Sequence, residues 1–319
     1  MQNKLYSRGP DRHGEFFSQN AVLMHRRLAV VDIEKGNQPM TYAVDGAVFT
    51  LCYNGELYNT NEIRNTLESR GYNFFSHSDT EVVLKAYVEY REKCVDMFNG
   101  IFAFAVWEHE TRRLFVARDR MGVKPLFYSM TKSGFVFASE IKALLEHSEI
   151  EPVIDTRSLA EIMIIGPGRT PGCGVFKGIS EIRPAHYAYY DETGLTIHRY
   201  WNVEAHEHSD SFEQTAEKVR YLVTDSIKRQ LVSDVPLCTF LSGGLDSSLI
   251  SSVTNGEFKK SGEVLHTFSV DYKDNEKYFK KSKFQPNSDP EFIRIMEKYL
   301  GGVHHRIVID TDELVNALY

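Results

Sequence analysis

Residues 242–248, with the sequence SGGLDSS, have the composition of an anion-binding loop. An apolar run at residues 235–241, which predicts a buried strand, precedes them, and a helical pattern follows. A loop in that position directs its backbone N–H groups and the positive end of the helix dipole towards one point. Gly243 and Gly244 allow the backbone to approach a phosphate closely, and the serine hydroxyls add donors. The run therefore predicts a phosphate site.

The loop lacks the lysine of the P-loop that serves γ-phosphate transfer. Asp246 places a carboxylate beside the phosphates, where it would help to hold Mg²⁺. The alternative, an ordinary strand-to-helix turn with a polar cap, is disfavoured because seven consecutive residues fit. The loop resembles the pyrophosphate-binding motif of the ATP pyrophosphatase family, which transfers AMP to an oxygen. That resemblance implies ATP as the cofactor, with these binding residues: Leu241, Ser242, Gly243, Gly244, Asp246, Ser247 and Val270.

The first two thirds of the chain resemble, segment by segment and in order, the class II glutamine amidotransferase domain of asparagine synthetases. The matching segments are Arg8-Gly9-Pro10-Asp11, His25-Arg26-Arg27-Leu28, Asn54-Gly55-Glu56-Leu57-Tyr58-Asn59, Ser78-Asp79-Thr80-Glu81, residues 98–104, Ala117-Arg118-Asp119-Arg120 and Gly122-Val123-Lys124-Pro125-Leu126. Together with the phosphate loop, the match covers nearly the whole chain.

The resemblance implies a glutamine site, because glutamine carries a carboxylate, an ammonium and an amide that need complementary partners. Arg27 would bind the α-carboxylate, with Leu28 beside it, and Asp79 and Glu56 would accept from the α-ammonium. Asn54 and the Gly55 amide would form the oxyanion hole.

Each of these residues also has a structural alternative when it is taken alone. Asp79 would be a helix N-cap, Asn54-Gly55 a hairpin turn and Arg27 a member of a surface ion pair. The ordered combination favours the glutamine site.

The start of the chain departs from the family pattern, in which an N-terminal cysteine is the nucleophile and its own α-amine is the base. Here the sequence MQNKLYS precedes Arg8, and the four cysteines are internal. We expect that the nucleophile strand is absent, that Met1 corresponds to an internal methionine, and that the far end lacks the remainder of the synthetase domain. An incomplete, inactive and weakly stable chain is the resulting expectation.

The predicted elements that position these residues fall into two domains. Short runs rich in Val, Phe and Tyr, interrupted by helical patterns, predict an α+β layered domain over residues 1–202. The resemblance implies that this domain is an αββα sandwich of the N-terminal nucleophile hydrolase type. A βαβαβ alternation over residues 203–319 predicts part of a doubly wound parallel sheet, which the resemblance implies is of the ATP pyrophosphatase type.

Composition excludes several classes of function. A net charge of -7 argues against a nucleic-acid or anionic-membrane partner. Four dispersed cysteines without metal spacing, and the lack of a signal peptide or long apolar span, indicate a reduced cytoplasmic protein. The adjacent His304 and His305 would point to opposite faces of a strand and would not chelate one metal together.

The function implied by the resemblance is ATP-dependent conversion of aspartate to asparagine through β-aspartyl-AMP, with ammonia from glutamine. Glutamine, aspartate and ATP are the implied partners, and monomer and homodimer both stay open. A β-lactam synthetase or another amide-forming relative is the alternative enzyme. A non-catalytic remnant that binds glutamine or ATP is the alternative of another class.

Overall fold

The chain folds as two units, Met1–His206 and Glu207–Tyr319, in a computed structural model that describes residues 1–166, 168–280, 283 and 289–317. Unit 1 is built mainly from antiparallel strands that pair with near neighbours in the sequence. Its strands are β1 Arg12–Phe17, β2 Val22–Arg27, β3 Met40–Val44, β4 Ala47–Leu57, β5 Gly100–Glu108, β6 Arg113–Arg118, β7 Phe127–Thr131, β8 Gly134–Ala138, β9 Ile179–Glu181, β10 His186–Asp191 and β11 Gly194–Arg199.

These strands form three sheets. The largest has six strands in the order β11-β10-β6-β5-β4-β3, and the smaller sheets are β1-β2 and β8-β7-β9. The helices of unit 1 are α1 Thr60–Glu68, α2 Asp79–Tyr90, α3 Cys94–Met97, α4 Ile141–Leu144 and α5 Thr156–Ala160, with 3-10 segments Gln2–Arg8 and Arg91–Lys93 and a π-helical segment Glu161–Ile165.

The layers of unit 1 follow from the alternation of side chains along the central strands. Leu51 and Tyr53 of β4 lie in an apolar cluster with residues of α1 and α2, whereas Cys52 lies in a second cluster, on the face towards the smaller sheets. A third cluster, which includes Leu144 of α4, packs on the far side of β7 and β9. The order is therefore helices, sheet, sheets, helices, and the predicted αββα sandwich is confirmed.

Unit 2 contains a parallel sheet in the order β12-β13-β14, made of β12 Cys238–Phe240, β13 His266–Tyr272 and β14 Val303–Ile309. Its helices are α6 Phe212–Arg229, α7 Leu245–Ser261, α8 Asn275–Tyr278, α9 Asp289–Leu300 and α10 Thr311–Asn316. Thr239 of β12 hydrogen-bonds Ser251 of α7 at 2.8 Å, so the sheet and α7 are tied by buried hydroxyls. The predicted partial parallel sheet is confirmed.

Two further expectations can be compared with the described residues. His304 hydrogen-bonds Thr267 and Ser269 on one face of β14, while His305 stacks on Phe268 on the other face, as the alternation of a strand requires. Within the described ranges, no helix combines the length and apolar character needed to cross a membrane.

Candidate functional site

A cavity of about 820 Å³ lies within unit 1, between the six-stranded sheet and the smaller sheets. It is lined by residues from β2, β4, β5 and β8 and from the start of α2. All six residues that the sequence assigned to glutamine are in its wall: Arg27, Leu28, Asn54, Gly55, Glu56 and Asp79. Residues distant in sequence thus meet in one concave, partly polar space of the kind that binds small molecules.

Strand β4 carries the central part of the site on its free edge. Strand β3 pairs with β4 only as far as Leu51, whereas β5 pairs with it as far as Leu57. On the free edge, the Tyr53 N–H donates to Gln38 Oε1 at 2.6 Å and the Leu57 N–H donates to Asp79 Oδ2 at 3.1 Å. Because alternate residues of a strand send their N–H to the same side, the Gly55 N–H points to this edge too.

The hairpin-turn alternative for Asn54-Gly55 is therefore wrong. Both residues lie inside β4, where Gly55 pairs with Phe102 of β5. A Cβ at Gly55 would stand 2.5 Å from the Ile101 carbonyl oxygen and 2.7 Å from the Tyr53 ring. The glycine is needed because the neighbouring strand and ring approach closely, and no turn is involved.

Asn54 presents a buried donor to the site. Tyr53 and Leu57 of β4 belong to the apolar cluster on the side of α1 and α2. Because side chains alternate along a strand, Asn54 and Glu56 point to the other side, towards the cavity. Among the described residues the Asn54 Nδ2 has no hydrogen-bond partner, although it is buried. A buried amide without a partner is costly unless a ligand supplies an acceptor. Asn54 Nδ2 and the Gly55 N–H fit two donors for a developing oxyanion.

Asp79 lies at the first position of α2 and is not its N-cap, so that alternative is wrong. Ser78 is the cap, and its side chain accepts from the Glu81 N–H. One oxygen of Asp79 accepts from the Tyr53 hydroxyl at 2.8 Å and from the Leu57 N–H. Burial raises the pKa of Asp79, while these hydrogen bonds oppose the rise.

Glu56 carries the second carboxylate of the site. Burial and the nearby charge of Asp79 raise its pKa to about 7, and Lys124 opposes the shift. Lys124 belongs to a turn that Asp119 shapes by accepting the backbone N–H groups of Val123 and Lys124. The Arg118-Asp119 part of the sequence motif therefore acts as scaffold behind a cavity-lining lysine.

Arg27 ends β2 and is 7% exposed, so the surface ion-pair alternative is also wrong. Its guanidinium donates to the carbonyl oxygens of Val31, Asp32 and Ile33 at 2.8, 2.8 and 3.0 Å. Burial lowers its pKa, with Arg12 adding to the effect, while Asp32, Asp79 and Asp11 oppose it. Leu28 is 61% exposed at the rim of the same cavity.

Sequence reasoning assigned no role to three further cavity residues, although His25 belongs to one of the matching segments. Gln38 and Tyr53 hold the backbone of β4 and Asp79 through the hydrogen bonds given above. His25 bonds the Tyr53 carbonyl through Nε2 at 3.1 Å, and burial lowers its pKa to about 4, so the ring is neutral at pH 7. Glutamine, tyrosine and histidine at these positions have no spacing signal, because their partners come from other elements.

Cys52 also lines the cavity. Burial raises the pKa of its thiol to about 12, so at neutral pH it is protonated and a poor nucleophile. It packs in the apolar cluster between the sheets, and we assign it no catalytic role.

The phosphate loop of unit 2 lies between β12 and α7. Gly244 is the N-cap of α7 without a side-chain cap bond, so the first N–H groups of a long helix face the loop. Gly243 has φ +78, and a Cβ there would stand 2.9 Å from the Asp289 carbonyl. Ser242 and Ser247 hydrogen-bond each other at 3.0 Å and close the loop.

The other predicted nucleotide residues surround the carboxyl end of the parallel strands. Leu241 follows β12 and is 1% exposed, while Val270 of the next strand is 47% exposed. Asp246 is exposed near the start of α7. One carboxylate beside an anion-binding helix start fits Mg²⁺, which takes one or two carboxylates together with phosphate oxygens.

Comparison with known proteins agrees with this arrangement. Residues 1–201 match the family described as glutamine amidotransferase domain, and residues 218–319 match asparagine synthase. The chain is 52% identical over its whole length to asparagine synthetase [glutamine-hydrolyzing] 3 of Bacillus subtilis, of which it covers 52%. It is 34% identical over 85% of its length to asparagine synthetase [glutamine-hydrolyzing] 1 of the same species, covering 42% of that protein.

Asparagine synthetase B [glutamine-hydrolyzing] of Escherichia coli is 30% identical, with 100% of this chain and 52% of that protein covered. The chain thus spans about half the length of these curated relatives. Both halves of the resemblance noted in the sequence are confirmed. The chain belongs to the glutamine amidotransferase family over residues 1–201, and this domain is followed by a segment of the asparagine synthase family over residues 218–319.

Proposed function

We propose that this chain is the glutamine-binding and pyrophosphate-binding part of a glutamine-hydrolysing asparagine synthetase. One observation carries the proposal: a guanidinium, two carboxylates and a buried amide donor that has no partner among the described residues meet in a single cavity. The names of the similar proteins support the same reaction. The protein is proposed to work in the cytoplasm, without nucleic acid or membrane, as a monomer or homodimer.

Glutamine would lie in the cavity with its α-carboxylate on Arg27 and its α-ammonium on Asp79 and Glu56. Arg27 keeps unused N–H groups after its three bonds to carbonyls, because a guanidinium has five. Burial and, to a smaller extent, repulsion from Asp79 raise the pKa of Glu56, so a cation between the two carboxylates is favourable. The side-chain amide would then reach Asn54 and Gly55.

Hydrolysis requires a nucleophile at the amide carbon, after which the oxyanion is stabilised by Asn54 Nδ2 and the Gly55 N–H. Among the named strands, β2 pairs only with β1 and β8 only with β7, and both strands line the cavity. The segment Gln2–Arg8 also lines it, and Gln2 Nε2 donates to the His25 carbonyl of β2. A cysteine nucleophile would be carried by an extended segment that reaches this cavity. A full chain extended upstream by such a strand is expected to release ammonia from glutamine, whereas the same extension with serine for cysteine is not.

In unit 2 the loop at Ser242–Gly244 would bind the pyrophosphate portion of ATP through the N–H groups at the start of α7. Asp246 would share Mg²⁺ with phosphate oxygens, and Leu241 and Val270 would lie beside the adenine and ribose. A carboxylate oxygen of aspartate attacks the α-phosphorus, pyrophosphate leaves, and ammonia then displaces AMP to form the amide.

Isothermal titration of the full chain tests the two binding proposals separately. L-glutamine should bind wild type, and Arg27→Ala or Asp79→Asn should weaken it at least about tenfold, since each removes a charged hydrogen bond. Lys93→Ala, an exposed cation elsewhere in unit 1, is the matched control. Magnesium pyrophosphate should bind wild type and lose affinity in Asp246→Asn. A wild type that binds neither ligand would refute the proposal.

A further inference from the structure

Asp32 has contacts to two parts of the candidate glutamine site, which are Arg27 and the start of α2 with Asp79. Arg27 ends β2 and Asp79 begins α2, so no continuous element fixes the distance between the guanidinium and the carboxylate. Asp32 belongs to neither element and is 4% exposed. Its backbone and its side chain make separate contacts to the two ends.

The backbone of Asp32 holds Arg27. Its carbonyl oxygen accepts from Arg27 Nη2 at 2.8 Å and from the Gly36 N–H at 3.0 Å. Gly36 leaves room for the guanidinium, because a Cβ there would stand 2.3 Å from Arg27 Nη2. Asp32 adopts φ 49, the left-handed conformation that aspartate tolerates better than most residues. The turn at residues 31–36 is thus folded around the arginine.

The carboxylate of Asp32 holds the start of α2. Its Oδ2 accepts from the His77 N–H at 2.8 Å and lies 3.2 Å from His77 Nδ1, while Oδ1 accepts from the Lys35 N–H at 3.0 Å. His77 is followed at once by the cap Ser78 and by Asp79. Burial alone would raise the pKa of Asp32, but the N–H groups of Lys35 and His77 lower it overall, so the carboxylate is charged at neutral pH.

We propose that Asp32 is a positioning residue that fixes the separation between Arg27 and Asp79 and makes the site select ligands with both an α-carboxylate and an α-ammonium. The proposal rests on the glutamine site described above. From one buried position Asp32 contacts Arg27 directly and contacts His77, which leads to Asp79, so a shift of Asp32 changes the separation between Arg27 and Asp79.

The test compares Asp32→Asn with Glu34→Gln, an exposed carboxylate of the same turn. The amide of asparagine has one acceptor atom, so it loses either the Lys35 or the His77 contact. Titration of the full chain uses L-glutamine and glutaramate, which is glutamine without the α-ammonium. In Asp32→Asn the dissociation constant for L-glutamine should rise about tenfold and that for glutaramate by less than about twofold, and Glu34→Gln should change neither.

Equal weakening of both ligands, or no weakening of L-glutamine, would overturn the positioning role. A wild type that does not bind L-glutamine would refute the glutamine site instead. In that case the amide NMR signals of His77 and Asp79 test the positioning role of Asp32. They should shift in Asp32→Asn and not in Glu34→Gln, and unshifted signals in Asp32→Asn would overturn the role. His77→Ala, which keeps the backbone N–H, should fold and bind L-glutamine nearly as wild type does.

Discussion

Glu56 is a residue at which binding and stability oppose each other. Its pKa of about 7 lies above the ordinary 4.5, so the folded state holds a proton that the unfolded state has lost between these pH values. Stability therefore falls as pH rises from 4.5 to 7. Above pH 7 the ionised side chain is a destabilising charge, which Lys124 relieves in part and a bound cation would relieve further.

Glu56→Gln should stabilise the protein at alkaline pH. We expect a gain of about 2 kcal/mol in the free energy of unfolding at pH 8, falling below about 1 kcal/mol at pH 5, because glutamine has no charge to bury. Denaturant unfolding at the two pH values measures it. Glu68→Gln, at an exposed helix position, is the control and should show no such pH dependence. If Glu56→Gln were less stable than wild type at pH 8, burial of the ionised Glu56 side chain would not be what lowers the stability of the protein.

The same ionisation should govern the affinity for glutamine. At pH 6 about one tenth of Glu56 is ionised, so L-glutamine should bind about tenfold more weakly than at pH 8. Calorimetric titration across this range measures the slope, and Glu56→Gln should remove it. A flat profile for wild type would show that the ammonium is held without Glu56.

Sequence patterns at the residue scale predicted which side chains meet in the cavity but not how they are held. Arg27 was identified through the family resemblance of the segment His25-Arg26-Arg27-Leu28, which implies that its cation binds a carboxylate. Its three carbonyl partners depend on the left-handed backbone at Asp32 and the close approach at Gly36. Such features arise from tertiary packing, which no local spacing encodes.

At the scale of elements, the start of α2 is stabilised by a buried ion pair. Glu81 is 0% exposed and accepts from the Ser76 N–H and hydroxyl, and Lys85 Nζ lies 2.5 Å from its carboxylate. The rings of Tyr42 and Phe74 face the same ammonium at 4.8 and 4.5 Å. The pair fixes the loop that leads to Ser78 and Asp79.

Lys85→Met should destabilise unit 1 by about 3 to 5 kcal/mol, because it leaves a buried carboxylate without its cation. The double variant Glu81→Gln with Lys85→Met should lose less, since no unpaired charge remains. Chemical denaturation followed by tryptophan fluorescence compares them, with Lys93→Met as an exposed control. If the double variant is no more stable than Lys85→Met, the unpaired charge is not the cause.

Element boundaries were predictable where local signals act alone. A glycine after a helical pattern predicts the end of a helix, and α1 ends at Glu68, three residues before Gly71, whose φ is +95. Strand β4 continues through Asn54-Gly55 to Leu57, because pairing with β5 outweighs the turn preference of Asn-Gly. Strand β12 is shorter than residues 235–241, consistent with Pro236, which has no N–H to donate to a sheet.

At the scale of the molecule, the two units differ in how much apolar surface they bury. Unit 1 contains three apolar clusters. Among the described residues of unit 2, the buried apolar side chains are Ile227, Leu241, Leu265 and Leu300. Phe240, Tyr272 and Ile307 of its sheet are 73%, 53% and 45% exposed. Because stability scales with apolar area removed from water, unit 2 should be the weaker unit.

We therefore expect unit 2 to unfold first when urea is added, as a separate transition. Both tryptophans, Trp107 and Trp201, lie in unit 1, so intrinsic fluorescence reports on that unit alone. Far-ultraviolet circular dichroism reports on both units, since helices α6, α7 and α9 contribute strongly to it. The dichroism should begin to fall at a lower urea concentration than the fluorescence, and hydrogen exchange should assign the early loss to peptides after residue 207.

Magnesium pyrophosphate should move the early transition to a higher urea concentration and leave the fluorescence midpoint unchanged, because a ligand stabilises only the unit that binds it. Coincident transitions by both probes would mean that the units unfold together and that the small core of unit 2 is not the weak point.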